Sequence, residues 1–533
     1  MHANFIYYIV LLLIISFLVM FAQRIRIAFP IVLVVGGLMM SFIPGLPTLE
    51  IDPELIFLIF LPPLLYEAAW QTSWKDFWKW RRVIASFAFL IVLVTSCLVA
   101  VVSYSIIPGF TLALGFLLGG IVSPPDAVSA TSIMKEIKVP KRLSSIIEGE
   151  SLLNDASSIV VFRFALAAVM TGQFVFKAAA ANFFIVIVMG IITGLVVALL
   201  FYAIHRWLPT TPSIDIVLTF VTPYVMYIVA EQFHFSGVLS VVSGGLFLSA
   251  RQDTMLNYQS RIQGLNVWSV AAFVLNGTIF LLIGLQLPVI VRQLGDEGLA
   301  GAITYGLIIT GTLIIGRLLC TLGAAQFTRF ISRFITTADS NPGWRGPLVF
   351  GWAGMRGVVS LAAALSIPLY LPNQQPFPQR NLILFITFTV ILVTLVFQGL
   401  TLPWLIRKMK LKEVDYPMPL EEQDRLVEKK LKLAANKLLD EYYARHGKHN
   451  ELLFLLRQRF DGDLRVLDYI TQNNTDDGKI AEYRSVVNDI IREQRLLLQK
   501  INKKAEVSQE VVKRHLLQLD HDEARLHQQL AGT

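Results

Sequence analysis

The first 405 residues of the chain are apolar and nearly free of charge. They hold 22 Lys and Arg and 16 Asp and Glu, against 24 and 22 in the remainder. Ordinary soluble domains carry about a quarter charged residues; this chain carries 16% and is 55% hydrophobic. A segment this long and this poor in charge cannot cover itself with polar groups. It can, however, form a bundle of membrane-crossing helices, each of which satisfies its own backbone groups. The expected architecture is all-α, with a polytopic membrane domain over residues 1–405 and a helical cytoplasmic tail over 406–533.

Thirteen apolar runs read as spans: 4–22, 28–44, 54–70, 83–107, 110–134, 143–170, 178–204, 214–231, 236–250, 265–288, 299–323, 346–371 and 381–405. The loops between them alternate in charge. One set holds 16 basic residues, among them Lys75, Lys79, Arg81, Arg82, Lys141 and Arg142, and the other holds only Lys177, Arg292 and Arg380. Basic loops stay on the cytoplasmic side, which puts the N-terminus outside and the tail inside a cell inner (plasma) membrane. Arg24 and Arg26 follow the first run and no basic residue precedes it, the pattern of a retained span rather than a cleaved signal.

Several function classes fall away. The basic excess sits in short loops, which argues against nucleic acid. Cys97 and Cys320 lie inside apolar runs and read as small core residues, with no disulfide or metal framework. No Walker loop or dinucleotide fingerprint occurs, so the chain reads as a transporter without a cofactor and not as an enzyme.

Two runs are interrupted. The fifth carries Gly119-Gly120 and then Ser123-Pro124-Pro125-Asp126; the twelfth carries Gly351, Gly354 and Gly357 around Arg356. Proline removes backbone donors and glycine weakens a helix. The two runs are seven spans apart, and an odd offset relates equivalent helices in opposite orientations. Broken helices at matching places of two inverted repeats point to a transporter's ion site. Without nearby charge they would read as kinked packing helices.

Charge is present. Glu67, Asp126, Glu150, Asp155, Arg163, Arg317 and Arg356 all fall within spans. Each costs about 2.5–3.5 kcal/mol on an insertion scale, so each needs a partner, water or an ion. At 100° per residue Ser151 and Asp155 share one helix face, and Glu150 and Asn154 a neighbouring one. Asp155, Ser151 and Asp126 offer the oxygen ligands that a hard cation such as Na+ prefers. Glu150 reads as a structural counter-ion with Arg356 as its expected partner, and Arg163 has no assigned role. Glu231 and His234 read as interfacial residues, Asn276 as facing either the pathway or a neighbour, and Gly190 and Gly194 as a close helix contact.

Four stretches carry a family resemblance: Phe60-Leu61-Pro62-Pro63-Leu64-Leu65-Tyr66-Glu67, Ser123-Pro124-Pro125-Asp126-Ala127-Val128, Glu148-Gly149-Glu150-Ser151-Leu152-Leu153-Asn154-Asp155, and Gly354-Met355-Arg356-Gly357-Val358-Val359. The chain resembles the bacterial Na+/H+ antiporters of the monovalent cation:proton antiporter-1 family, relatives of NhaP-type and NHE-type exchangers. The resemblance implies that Asp155 binds ion and proton, that Asn154 is its paired asparagine, that Ser151 coordinates, and that Asp126 is the acid of the unwound fifth helix. It makes Glu150 and Arg356 the structural charge pair and Glu67 an acid near the pathway. It also implies a homodimer in which a core domain moves against a dimerisation domain. Pro125-Asp126-Ala127 departs from the commoner Thr-Asp-Pro order, so the residue before Asp126 offers no hydroxyl.

The expected function is exchange of Na+, or Li+, for H+ by alternating access, one for one. The alternatives are K+/H+ exchange, a cation channel, and a receptor with a signalling tail. In the tail, helical patterns run near 420–446, 450–469, 478–503 and 507–530, with Gly447 as a stop and Asn450 as a cap.

Overall fold

The structure is a computed structural model. It describes residues 2–43, 53–135, 137, 139–172, 176–294, 298–334, 339, 342–411, 413, 415, 420–446, 451–472, 477–501, 515, 519 and 521–523. The expected tail signals Gly447 and Asn450, and most of the pattern at 507–530, lie outside these residues.

The chain order is helical. It runs α1 (His2–Ile25), α2 (Phe29–Met40), α3 (Pro53–Gln71), α4 (Trp74–Ile106), α5 (Leu112–Val122), α6 (Ala127–Lys135), α7 (Lys141–Thr171), α8 (Phe176–Trp207) and α9 (Pro212–Gln232). There follow α10 (Gly237–Ser249), α11 (Tyr258–Leu285), α12 (Leu299–Ile331), α13 (Arg345–Trp352), α14 (Val358–Leu365) and α15 (Arg380–Met409). The tail holds α16 (Leu420–His446), α17 (Glu451–Gln472) and α18 (Asp477–Ile501). Among the described residues, eight helices are long and apolar enough to cross a membrane, and three shorter apolar helices accompany them. This is a multi-pass membrane protein.

Local signals set the helix starts. Thr111, Ser236 and Asn257 each accept a backbone N–H of the first turn, of Leu114, Leu239 and Ser260 respectively, which satisfies donors the helix cannot use itself. Gly172, at φ 70°, closes α7 in the left-handed conformation that glycine adopts without strain.

The chain divides into two units, Met1–Glu413 and Val414–Thr533. Within the first, the helices sort into two packed groups. In one, α4 packs on α5, α7 and α12, α5 on α7, and α12 and α14 on α15. This group draws on runs four to six and eleven to thirteen, the sets the sequence relates by an offset of seven. In the other, α8 packs on α9 and α10, α10 on α3, and α11 on α2 and α9. The Gly190 and Gly194 pair sits where α8 meets α10: a Cβ on Gly194 would lie 2.1 Å from the Ser240 carbonyl oxygen. The second group is braced at one end by a buried network. His205 and Asp215 meet at 2.8 Å, and the Ser260 hydroxyl donates to the other Asp215 oxygen at 2.6 Å. Cys97 departs from expectation. It lies exposed on α4 rather than in the core, because its helix turns that face outward; Cys320 is half-buried.

Candidate functional site

Both interrupted runs are broken. The chain leaves helix at Ser123–Asp126, between α5 and α6, and at Ala353–Gly357, between α13 and α14. The breaks cross, and the Asp126 N–H donates to the Met355 carbonyl at 2.7 Å. The crossing is tight: a Cβ on Gly357 would lie 2.4 Å from an Asp126 carboxylate oxygen.

Breaking a helix strands carbonyls at one end and N–H groups at the other. Arg356, fully buried, serves the carbonyl ends. Its Nε donates to Val122 O at 2.8 Å, Nη2 to Ser123 O at 3.3 Å and Nη1 to Gly354 O. A guanidinium is well suited there, since a helix C-terminus carries partial negative charge. Its own N–H donates to Thr394 Oγ1 at 3.1 Å, from a π-helical turn (Thr394–Gln398) in α15. Asp126 serves the opposite end of the first break. Its carboxylate accepts Val128 N–H at 3.0 Å and the Ser129 hydroxyl at 2.9 Å, capping α6.

α7 bolts onto this crossing. Ser151 Oγ accepts the Ala127 N–H at 3.2 Å, and Asn154 Nδ2 donates to the Pro125 carbonyl at 2.9 Å. Pro125 therefore contributes a carbonyl that Asn154 holds. Asn154 is fully buried, and its Oδ1 is without a partner among the described residues.

Glu150 departs from expectation. Its partner is Arg317 of α12, in a two-pronged pair with Nη1–Oε1 at 2.8 Å and Nη2–Oε2 at 2.7 Å, both side chains buried. Arg356 does not hold it, because the carbonyls of the two breaks use that guanidinium. The planar fork of Arg317 matches a carboxylate edge. The available sequence signal was Arg317 itself, a third intramembrane arginine in need of a partner. Arg163, left without a role, pairs with Glu231 at 2.6 Å.

A cavity of about 600 Å³ runs to the crossing. Asp126, Ser151 and Asp155 line it from one packed group; Glu67 of α3 and Asn276 of α11 line it from the other. Asn154 does not line it. Glu67 accepts a hydrogen bond from Gln71. Asp155 is 7% exposed, and among the described residues no donor reaches its carboxylate. Two carboxylates and a hydroxyl on one wall, with one acid short of partners, can take up a hard monovalent cation or a proton and release either. At its far end the cavity reaches Gln71, Ser132 and Glu148, beside the loops rich in Lys and Arg.

Comparison with known proteins bears on the family and the fold. The family described as sodium/hydrogen exchanger, transmembrane, matches residues 9–408. A protein of Bacillus pumilus (strain SAFR-032) named sodium, potassium, lithium and rubidium/H(+) antiporter is 32% identical over 77% of this chain and 62% of its own length. The uncharacterized Na(+)/H(+) exchanger YjcE of Escherichia coli (strain K12) is 30% identical over 90% of each chain. The solved structure of the sodium proton antiporter MjNhaP1 from Methanocaldococcus jannaschii shares the fold, with a TM-score of 0.59 at 17% identity, covering 76% of this chain and 97% of that one. The chain spans about three fifths of the length of the Bacillus relatives it matches, 62% and 57%.

Proposed function

Because the chain belongs to the sodium/hydrogen exchanger family, we propose that it exchanges a monovalent cation, sodium in the first place, for protons. The observation that carries this reading is Asp155, a buried acid without a donor among the described residues, on the wall of a cavity that ends at two crossed helix breaks. One carboxylate that binds either a cation or a proton couples their opposite movements by competition alone. Asp126 and Ser151 complete the oxygen set. Asn154 holds the break in register, Glu67 stands along the entry, and the Glu150–Arg317 pair and Arg356 keep the half-helices in place. The end with the basic loops faces the cytoplasm, with the N-terminus outside, in the plasma membrane. The group built on the breaks moves against the other, within a homodimer. Potassium/proton exchange is the second reading, favoured by the potassium in the name of the Bacillus pumilus relative.

Proteoliposomes carrying the purified chain and an internal acidic pH should dissipate it on addition of cation. Dissipation by Na+ and Li+ above K+ and Rb+ supports the first reading, K+ above Na+ the second, and no cation dependence rejects both.

Exchange is expected to be electroneutral. Asn154 cannot carry a proton, and Glu150 is already neutralised by Arg317. If Asp126 keeps one protonation state through the cycle, Asp155 is the carboxyl that changes occupancy, and one cation moves for one proton. With the potential clamped by potassium and valinomycin, the Na+-driven rate should be the same at either sign of voltage. A rate or end-point that follows the voltage as one net charge requires would make Asp126 the carrier of a second proton.

We read residues 1–405 as the exchanger domain and 406–533 as a cytoplasmic tail dispensable for turnover. Every intramembrane charge lies before residue 406. A stop after Lys412 should leave exchange measurable in monodisperse protein. Complete loss at every pH would make the tail part of the machine.

A further inference from the structure

We infer that the Arg163–Glu231 ion pair is the outer latch of the cation path, an inference that rests on the exchange reading above. Arg163 follows Asp155 by eight residues on α7, about 12 Å along the helix, and lies toward the end of α7 away from the basic loops. It belongs to the group that carries the crossed breaks. Glu231 lies at the same end of the molecule, in the last turn of α9, in the other group. The two side chains meet at 2.6 Å, so an ion pair joins the two groups beyond the cation site, next to the apolar packing of Ala156 and Ile159 in the cluster that holds Val238 and Val241 of α10.

Glu231 is held still for this contact. While Oε2 faces Arg163, Oε1 accepts the Gly237 N–H at 3.2 Å, at the start of α10. A Cβ on Gly237 would meet the Tyr227 ring at 2.6 Å, so the α10 start packs closely on α9. The fixed half of the latch is therefore part of the second group, and the arginine moves with the first. The cavity extends toward the opposite end, where Gln71, Ser132 and Glu148 line it. A path closed at one end by a tie between groups and extended toward the other is one side of an alternating cycle. The strength of the pair suits the task. The side chains are 42% and 28% exposed, and a half-exposed pair is weak enough to break in every cycle. A buried pair such as Glu150–Arg317 would not release. Opening the outer side requires the groups to part at Arg163 and Glu231, after which Glu231 keeps its Gly237 N–H and Arg163 turns to water or lipid headgroups.

The latch is tested by accessibility, which does not depend on exchange. Ala272, on the cavity wall in α11, is replaced as Ala272→Cys in a Cys97→Ser/Cys320→Ser background. It is then labelled with a membrane-impermeant maleimide in right-side-out and inverted vesicles. Arg163→Gln and Glu231→Gln should each raise labelling from outside about two- to fivefold, the range expected for a half-exposed pair, and lower it from inside. The charge-exchanged double variant Arg163→Glu/Glu231→Arg should return both rates part of the way to those of the parent, since an arginine at 231 restores the ion pair but cannot accept the Gly237 N–H. A pair that only supports folding would not move the two rates in opposite directions, and unchanged rates in both single variants overturn the latch. In a second arm, Arg163→Cys/Glu231→Cys is bridged in the same background by a bis-maleimide with a reducible disulfide spacer, because a direct disulfide needs Cα atoms within about 7 Å. Exchange should stop on bridging and return when the spacer is reduced; undiminished exchange by fully cross-linked protein overturns the latch. A parent that labels from both sides but exchanges no cation for protons removes the exchange reading and leaves the latch to stand on accessibility.

Discussion

Asp155→Asn should reduce cation/proton exchange to the level of protein-free liposomes while the protein still folds. The amide matches the carboxyl in size but cannot release a proton. It also cannot bring a full negative charge to a cation beside Asp126 and Ser151. Folding should survive, because the carboxylate has no donor among the described residues to lose. Removing a buried, unpaired charge relieves the native state rather than breaking a network. The unfolding midpoint of Asp155→Asn in detergent should therefore equal or exceed that of the parent. Exchange at the parental rate in purified Asp155→Asn would take the proton site away from this residue. Loss of exchange together with a steep loss of stability would make Asp155 structural.

Breaking the Glu150–Arg317 pair should produce the largest loss of stability. Either single change, Glu150→Gln or Arg317→Gln, leaves a charge buried without its partner, at a cost of about 3–5 kcal/mol. The double change Glu150→Gln/Arg317→Gln should recover much of that, because it removes both charges together. A double-mutant cycle measured by unfolding in mixed micelles isolates the coupling. Arg356→Gln should also destabilise, but through the carbonyls of Val122 and Ser123 that it leaves unserved. Its coupling to Glu150 should be the smaller of the two. A larger coupling of Glu150 to Arg356 than to Arg317 would reverse the assignment.

The error over Glu150 shows where sequence reasoning stops. Composition and periodicity place Glu150, Arg317 and Arg356 inside apolar spans, and each of the three needs a partner. Nothing in one dimension says which arginine meets which acceptor, since the pair is 167 residues apart. Arg356 sits in a glycine-rich break, and a break frees carbonyls. That was a local reason to expect it to serve backbone rather than a carboxylate, but its force depends on a second break lying across the first.

Charge placement along the chain was enough to determine a helical membrane domain, because a bilayer admits few other ways to satisfy backbone groups. Pro124, Pro125 and the glycines around Arg356 were enough to locate both helix breaks, because each acts on the residues beside it. The helical spacing of Ser151 and Asp155 put both on one face, and both line the cavity. Tertiary structure alone decided the rest: that the breaks cross at Asp126 and Met355, that Asn154 clamps the Pro125 carbonyl, that Arg317 neutralises Glu150, and that Arg163 reaches Glu231 in the other helix group. Helix signals act within a few residues and can be read along the chain. Pairings between helices depend on which faces meet, and folding alone fixes that.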